Sequence, residues 1–401
     1  MTSISEFSQK TLNKYGIKNQ EDFYFVLLIS GVLCFIAAFV GTFVNLDIHH
    51  LARFKGDVAS WNFTMPSVGG LLSTILFPKI REKWPLKDIL RVSFIVLFLV
   101  FGCEIFLINT YFEFPIRFIA GFFSGILFLE IACFEAELFK APYRATIFGF
   151  VGIEMSLFYS LGSSAVDYFQ TPFEVFSVSM LGLVICYFLI FMWKDPLGKK
   201  NTKTVESSQK SSESFYQIVA FSPFIFIAIF MMGSIGGGIS SYLAIFFEGT
   251  GMTEGHAALA YSFSGLGTLV FLPISGRIAD KWGYEKTFLL ITFMGLFAVI
   301  VSFFFTQIDV LSASFFVIRA SKVSFLVMMY AWIAMQYSGK NLSYGMSSYS
   351  LIKSIGHIFA PLGVGTLIGF YGDTGLLLWI FGGLSITFVL MIFEMKKIKS
   401  P

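Results

Sequence analysis

The sequence Gly276-Arg-Ile-Ala-Asp-Lys-Trp-Gly-Tyr-Glu-Lys286 joins two long apolar runs of the chain. Its centre, Ile278-Ala-Asp-Lys-Trp282, repeats a loop that occurs much earlier, Ile80-Arg-Glu-Lys-Trp84. An isoleucine, an acid, a lysine and a tryptophan stand at equal positions in both copies, and each copy follows the second apolar run of its half. The repeat indicates a duplication, which predicts two halves of equal topology.

The chain around these loops is apolar along most of its length. Of its 401 residues, 56% are hydrophobic and 13% are charged, and the mean hydropathy is +0.77. A soluble globular chain carries about 25% charged residues. Runs such as 23–44 and 173–193 are long enough to cross about 30 Å of hydrocarbon. The composition therefore excludes an ordinary soluble domain and predicts an all-α membrane protein.

The apolar runs predict twelve transmembrane helices. They are expected at 23–46, 58–79, 88–108, 112–136, 144–166, 173–193, 216–246, 256–276, 287–306, 311–336, 344–368 and 374–394. The first 22 residues are polar and lack the apolar stretch of a cleavable signal peptide, so we expect the amino terminus to be retained.

The basic residues predict how the chain is oriented. Of the 28 lysines and arginines, 22 lie in the tails and in alternate loops, four lie within helices, and only Arg53 and Lys55 lie in the loops of the other side. Cations concentrate on the cytoplasmic side of membrane proteins. We therefore expect both termini in the cytosol of a cytoplasmic membrane, which requires an even number of crossings.

A polar segment from Lys194 to Ser214, rich in lysine, serine and glutamine, has the composition of a flexible linker and separates two sets of six helices. The predicted organisation is a cytosolic tail at 1–22, a bundle at 23–193, a linker at 194–215, a second bundle at 216–394 and a tail at 395–401. The solute site is expected between the bundles near the midplane.

The loop at 276–286 resembles the signature of the major facilitator superfamily: a glycine, three residues, an acid, a base, one residue, a glycine and then a base. The earlier copy departs from this pattern, since Pro78 and Pro85 replace the glycines and Asp88 replaces the last base. Two further segments are similar to other motifs of the superfamily, Arg117-Phe-Ile-Ala-Gly-Phe-Phe-Ser-Gly125 and Glu137-Leu-Phe-Lys-Ala-Pro-Tyr-Arg144. The latter resembles branches that handle metabolites and organic ions.

The resemblance implies two six-helix bundles that rock to give alternating access, and it implies a gate. Asp280 would cap or pair with the inner end of the fifth helix near Arg144. Glu82 would act in the same way near Lys340 at the eleventh helix. The predicted gating residues are Glu82, Lys83, Arg144, Gly276, Asp280, Lys281 and Gly283.

Several cations lie within the predicted helices, where each costs at least about 2.5 kcal/mol at the helix centre and is therefore a functional candidate. Arg319 and Lys322 are three residues apart, and Lys353 and His357 are four apart, so each pair shares a helix face. Two cations on one face favour an anionic ligand, although pairing with an acid of the protein stays open. The predicted substrate-binding residues are Arg117, Arg319, Lys322, Lys353, His357 and Tyr242.

Arg117 and Tyr242 have alternative interpretations. Arg117 either snorkels outward or locks its helix to a neighbour, or it faces the cavity and pairs with Asp47, as an acid–arginine pair does in proton-coupled relatives. Tyr242 follows four glycines in the seventh helix, namely Gly233, Gly236, Gly237 and Gly238. Glycine lowers helix propensity by about 1 kcal/mol relative to alanine, so a break there could expose polar groups to the cavity. The alternative is close helix packing by small residues.

Carboxylates within the helices are candidates for proton coupling, because burial raises the pKa of a carboxyl group. Glu154, near the midplane, is the first candidate, followed by Glu130 and by Asp47 at the outer end of the first helix. Glu104 is interpreted as a cavity-rim or ion-pair residue. Glu135 and Glu137 are interpreted as a solvated inner helix end.

The predicted function is proton-coupled uptake of a small polar metabolite, anionic or zwitterionic, of the amino acid or carboxylate class. No glycine-rich phosphate loop that ends in Gly-Lys-Ser or Gly-Lys-Thr occurs, so no ATP site of that type is expected. We predict no cofactor, no metal site, no nucleic-acid partner and a monomeric protein in the lipid bilayer. An efflux carrier and a non-transporting membrane receptor are the alternatives. A membrane enzyme is disfavoured, since paired acids and nucleophile–base spacings are missing from the sequence.

Overall fold

The computed structural model describes residues 20–50, 56–108, 110–139, 143–169, 171–193, 218–220, 222–252 and 254–399. The long helices within these ranges are α1 (Gln20–His50), α2 (Gly56–Lys83), α3 (Leu86–Leu107), α4 (Glu113–Leu138), α5 (Arg144–Ala165), α6 (Pro172–Met192), α7 (Pro223–Gly249), α8 (Glu254–Trp282), α9 (Tyr284–Phe304), α10 (Ile308–Gln336), α11 (Lys340–Tyr371) and α12 (Thr374–Lys399). A short 3-10 helix, Val166–Tyr168, follows α5. Each of the twelve predicted segments coincides with one of these long helices.

The helix ends differ from the predicted ends for physical reasons. The seventh helix was expected from residue 216, but α7 begins at Pro223, where the Ser222 carbonyl accepts the amides of Ile225 and Phe226. Proline has no amide hydrogen and its ring clashes with a preceding helical turn, so it favours a helix start. At the other end, α8 continues through its charged residues to Trp282. A helix need not end where its apolar run ends, because its backbone bonds are satisfied internally.

Ten of these helices, judged by length and composition within the described residues, are long and apolar enough to cross a membrane. The remaining two are α2 and α8, which end in the charged residues of the two loop copies. Ten such helices in one chain define a multi-pass membrane protein.

Corresponding helices of the two sequence halves pair in the same way. In the first half α2 packs along α4, α3 packs along α4 and α6, and α1 packs along α6. In the second half α8 packs along α10, α9 packs along α10 and α12, and α7 packs along α12. The equal pairing agrees with the duplication that the loop copies indicated.

The chain divides into two compact units. The first contains Met1–Leu138, Leu157–Ser214 and Tyr337–Ser347, and the second contains Phe139–Ser156, Phe215–Gln336 and Ser348–Pro401. The start of α5 is therefore grouped with the second unit and the start of α11 with the first. The predicted linker at 194–215 lies outside the described residues, as do residues 1–19 of the amino-terminal tail and 400–401 of the carboxy-terminal one.

Aromatic residues form much of the core of the first unit. Phe94 and Phe176 are fully buried in it, together with residues of α1 and α4. Trp193 closes the core just before the predicted linker: its indole nitrogen donates to Asp22 at 2.6 Å, and its carbonyl accepts the ammonium of Lys87. These contacts hold the beginning of α1 against the end of α6.

Candidate functional site

A cluster of basic side chains lies in the second unit, on α10 and α11. We call Arg319, Lys322, Lys353 and His357 the cationic cluster. The charges of Arg319 and Lys353 act on Lys322, and those of Lys322 and Lys353 act on His357. Lys322 and Lys353 lie near the middle of their helices. The two predicted face-sharing pairs are therefore brought together into one group.

A glycine of α7 provides the space that the cluster occupies. A Cβ atom added at Gly236 would lie 3.2 Å from the ammonium nitrogen of Lys322 and 3.7 Å from the His357 ring. The two side chains therefore converge on a bare stretch of α7 backbone. His357 is exposed, whereas Lys322 and Lys353 are partly buried.

Other glycines bring α7 and α11 close together. A Cβ atom at Gly233 would collide with the carbonyl of Lys353, and one at Gly237 would collide with the carbonyl of His357. On α11, Gly356 approaches the carbonyl of Phe230 in the same way. α7 runs as one continuous helix through these positions, which rules out a break, and the close approaches agree with the alternative of packing by small residues. The close crossing places the backbone of Lys353 and His357 directly against α7.

Arg319 is held in place by α8. Its guanidinium donates to the Tyr261 carbonyl and to the Ser264 hydroxyl, both at 2.8 Å, and lies 4.5 Å from the centre of the Tyr261 ring. These contacts orient the guanidinium without neutralising its charge. Nothing in the sequence pattern indicated Tyr261 or Ser264, because they lie far from Arg319 along the chain.

Lys353 lies beside an aromatic pair. Its ammonium is 5.5 Å from the centre of the Tyr349 ring, which is 4.4 Å from the ring centre of Tyr330. Tyr349 is fully buried, and its hydroxyl donates to the Leu326 carbonyl at 3.1 Å. A cation over an aromatic face is stabilised without losing its charge. The sequence reading missed Tyr349, although a residue four positions before Lys353 shares its helix face.

No ion pair with a described carboxylate neutralises the cationic cluster. Among the described residues, no carboxylate forms an ion pair with Arg319, Lys322 or Lys353. Cations at a helix centre cost about 2.5–3.5 kcal/mol each even on the most lenient scale. An uncompensated group of this kind is suited to bind an anion.

Tyr242 ties α7 to α11 instead of pointing freely into a cavity. Its hydroxyl donates to the Pro361 carbonyl at 3.2 Å. Pro361 is the proline within α11. The contact supports the same helix pair that carries part of the cationic cluster.

Arg117 belongs to an ion-pair triad in the first unit. Its Nε donates to Glu113 at 2.6 Å, and its Nη2 lies 3.5 Å from Glu104. Glu104 is thus an ion-pair residue that also lines a cavity. The predicted partner Asp47 lies on α1, with its side chain outside the described residues. Glu113 was missed, although its i,i+4 spacing to Arg117 was a usable signal.

Glu130 is paired with a residue of the first loop copy. It is buried on α4 and accepts the Nε of Arg81 at 3.1 Å, and Arg81 also donates to Glu137 at 3.1 Å. Glu137 is therefore engaged in an ion pair, which the interpretation as a solvated helix end did not include. Glu154, the first coupling candidate, is half-buried on α5.

Asp280 caps the amino terminus of α5. Its carboxylate accepts the amides of Ala145 and Thr146 at 3.0 and 2.8 Å and the hydroxyl of Thr146 at 2.6 Å. The first amides of a helix have no hydrogen-bond partner within the helix. The positive end of the helix dipole also stabilises an anion at this position. The structure thus places Asp280 where the resemblance to the superfamily implied.

Arg144 makes the complementary contact at the end of α10. It donates to the Ala334 carbonyl at 2.6 Å and to the Phe139 carbonyl at 2.7 Å. A cation at a helix carboxy terminus satisfies carbonyls that lack intrahelical donors. Asp280 therefore links α8 to the amino terminus of α5, and Arg144 links α5 to the carboxy-terminal end of α10.

Two glycines of the signature have separate structural tasks. A Cβ atom at Gly276 would come within 2.5 Å of the Ala145 carbonyl, so only glycine permits this approach of α8 to α5. Gly283, the single residue between α8 and α9, has φ 90°, a conformation that other residues rarely adopt.

The other predicted gating residues lie at the surface of the loops. Lys83, Lys281 and Glu82 are exposed, and Glu82 lies within electrostatic range of Tyr344 on α11. The side chain of Lys340 lies outside the described residues. The gating role of this set stays a prediction.

We expect Asp280→Ala to lower thermal stability, because it leaves the three donors at the start of α5 without their acceptor. Loss of a helix cap costs about 0.5–2 kcal/mol. The melting temperature of the detergent-purified protein, with hydrogen exchange at Ala145 and Thr146, measures this effect. Asp309→Ala, which removes an exposed first-turn carboxylate of α10, is the control. Equal changes in both variants would contradict the capping role.

Comparison with known families gives a match along nearly the whole chain. The sequence model described as Major Facilitator Superfamily matches residues 23–318 and 248–400. Among curated protein sequences, none matches the chain significantly.

Solved structures show the same fold. The human organic anion transporter MFSD10 (TETRAN) is similar with a TM-score of 0.75 and 12% identity, over 93% of this chain and 100% of that one. A Major Facilitator Superfamily transporter, FucP, in the outward conformation has a TM-score of 0.73 and 14% identity, over 94% and 99% of the two chains. The proton:xylose symporter XylE has a TM-score of 0.73 and 14% identity, over 93% and 95%.

The twelve long helices, their equal pairing in both halves and these matches define a membrane transport protein and not an enzyme. The chain belongs to the major facilitator superfamily.

Proposed function

We propose that this carrier transports a small polar metabolite with a carboxylate or another anionic group, and that the cationic cluster is its anion site. The observation that carries the proposal is that Arg319, Lys322 and Lys353 lack a carboxylate partner among the described residues. An anionic substrate would supply the missing charge and relieve the cost of cations in hydrocarbon.

Each member of the cluster has a proposed role. Lys322 is the main anion contact, since its ammonium lies beside Gly236 and has neither an ion pair nor a hydrogen bond among the described residues. Arg319, oriented by Tyr261 and Ser264, offers planar donors that suit a carboxylate. Lys353 adds charge from α11, beside Tyr349. Both carboxylates and zwitterions offer the required group.

The transport direction proposed is proton-driven uptake by alternating access. The concentration of lysine and arginine in the tails and alternate loops supports both termini in the cytosol. Two structural relatives are described as proton symporters, of fucose and of xylose, and one as an organic anion transporter. At 12–14% identity these likenesses concern the fold alone. The proposal that the substrate is an anion therefore rests on the cationic cluster.

Substrate exchange in proteoliposomes tests the proposal. The purified chain is reconstituted with an unlabelled compound inside, and uptake of the labelled compound is followed for monocarboxylates, dicarboxylates, amino acids and neutral sugars. We expect exchange of at least one carboxylate-bearing compound and none of the neutral sugars. Exchange of neutral sugars with no exchange of any anion would reject the anion site. Protein-free liposomes provide the leak rate.

A further inference from the structure

A cavity of about 340 Å³ lies within the first unit. Its wall is mostly apolar and includes Leu33, Phe101 and Leu127, while Glu104 and Arg117 are its charged residues among those described. The cavity has room for several water molecules, since each takes about 30 Å³ in the liquid. Water in the cavity would give a proton a route to these two side chains.

One arginine serves two buried carboxylates at this cavity. Glu104 and Glu113 are each 2% exposed, and Arg117 is 6% exposed. Glu104 and Glu113 therefore share the charge of Arg117 in a setting of low dielectric constant. Two carboxylates that share one site resist double ionisation, so the triad favours taking up one proton.

The geometry distinguishes the two carboxyl groups. Glu113 accepts the Nε of Arg117 in a short hydrogen bond of 2.6 Å. Glu104 lies farther from the guanidinium, at 3.5 Å, and its buried Oε2 accepts no hydrogen bond among the described residues. Glu104 also lines the cavity, whereas Glu113 does not contribute to its wall. The more weakly held carboxyl group is therefore the one at the cavity wall.

We propose that Glu104 binds the proton that this carrier moves with its substrate. In the protonated state Arg117 stays paired with Glu113. In the deprotonated state Glu104 competes with Glu113 for Arg117, which changes the hydrogen bonding at the cavity wall. The site differs from Glu154, Glu130 and Asp47, the carboxylates that the sequence pointed to.

The neighbouring helices add no further charge to Glu104 among the described residues. α4 and α6 pack along α3, and α2 makes a few contacts with it. α4 contributes Arg117 and Glu113, the two groups whose charges act on Glu104. The acid at the start of α6 is Glu174, which is exposed and forms a capping box with Thr171.

Infrared difference spectroscopy of the reconstituted full-length protein tests the assignment without a substrate. The band of a protonated carboxyl group is followed between about pH 5 and pH 8. We expect Glu104→Gln to remove a titrating band and Glu174→Gln to retain it. In Glu113→Gln, Glu104 no longer shares Arg117 with a second carboxylate, so its ionised form is stabilised. The band of the protonated group should then form only at lower pH. A titrating band that Glu104→Gln leaves unchanged would overturn the assignment.

Transport completes the test, and this part rests on the proposed function. With an inward gradient of about one pH unit, equivalent to a tenfold concentration ratio, the natural protein should accumulate substrate by up to about tenfold. Glu104→Gln should bring substrate only to equilibrium, whereas Glu174→Gln should accumulate it. Accumulation by Glu104→Gln would overturn the coupling role. If the natural protein exchanges no anion at all, the proposed substrate class fails, and the infrared result still decides whether Glu104 is protonated.

Discussion

Replacing Lys322 by glutamine is expected to weaken substrate binding more than any other single change in the cationic cluster. Removing one partner of a buried charge pair costs roughly 2–5 kcal/mol, which is about 30-fold to several thousand-fold in affinity. Lys322 should fall in this range because its ammonium faces Gly236 and has no carboxylate partner among the described residues. The apparent affinity for the exchanged anion in proteoliposomes measures the loss.

The matched control is Lys286→Gln. Lys286 is an exposed lysine in the first turn of α9, so its replacement should leave the affinity for substrate unchanged. A Lys322→Gln protein that is folded and binds the anion as well as the Lys286→Gln protein does would remove the cationic cluster from the substrate site.

Replacing Arg117 by glutamine is expected to have the largest effect on stability. It leaves Glu104 and Glu113 buried beside each other without their shared cation. Breaking a buried pair by removing one partner costs about 3–5 kcal/mol. The melting temperature of the purified protein in detergent should fall markedly.

Two further variants separate charge from packing in this prediction. Adding Glu104→Gln and Glu113→Gln to Arg117→Gln should restore much of the stability, since no uncompensated charge then remains. Arg91→Gln is the control, because Arg91 makes a more exposed, 3.8 Å pair with Asp88, and such pairs contribute about 0–1 kcal/mol. Similar melting temperatures for Arg117→Gln and Arg91→Gln would contradict the importance of the triad.

Residue spacing predicted part of the candidate site. Lys322 lies three residues from Arg319, and His357 lies four residues from Lys353, so helical periodicity put each pair on one face. The loop signature led to Asp280 in the same way, since its role at a helix terminus depends on a local pattern. The structure agrees with these placements because the information they need lies within a few residues along the chain, whereas the roles of the residues stay predictions.

Partner identity was harder to predict. One interpretation of Arg117 paired it with Asp47, whose side chain lies outside the described residues, and the described structure gives Arg117 the carboxylates of Glu113 and Glu104. Arg81 was read as one cation of a basic loop, yet it binds Glu130 of α4. The Arg117–Glu104 and Arg81–Glu130 pairs join different helices, so they depend on which helices pack side by side and at what rotation. Glu113, in contrast, lies four residues before Arg117 on the same helix, and this pair was within reach of a spacing argument.

The sequence by itself determined the membrane class of this protein, the number of its long helices and the duplication of its halves. Apolar runs must span hydrocarbon as helices, because each backbone hydrogen bond is then satisfied within its own segment. Only the tertiary structure decided that Gly236 leaves room for Lys322, that Glu104 shares Arg117 with Glu113 and that Asp280 caps α5. These contacts join residues of different helices, so their energies depend on interhelical distance and orientation.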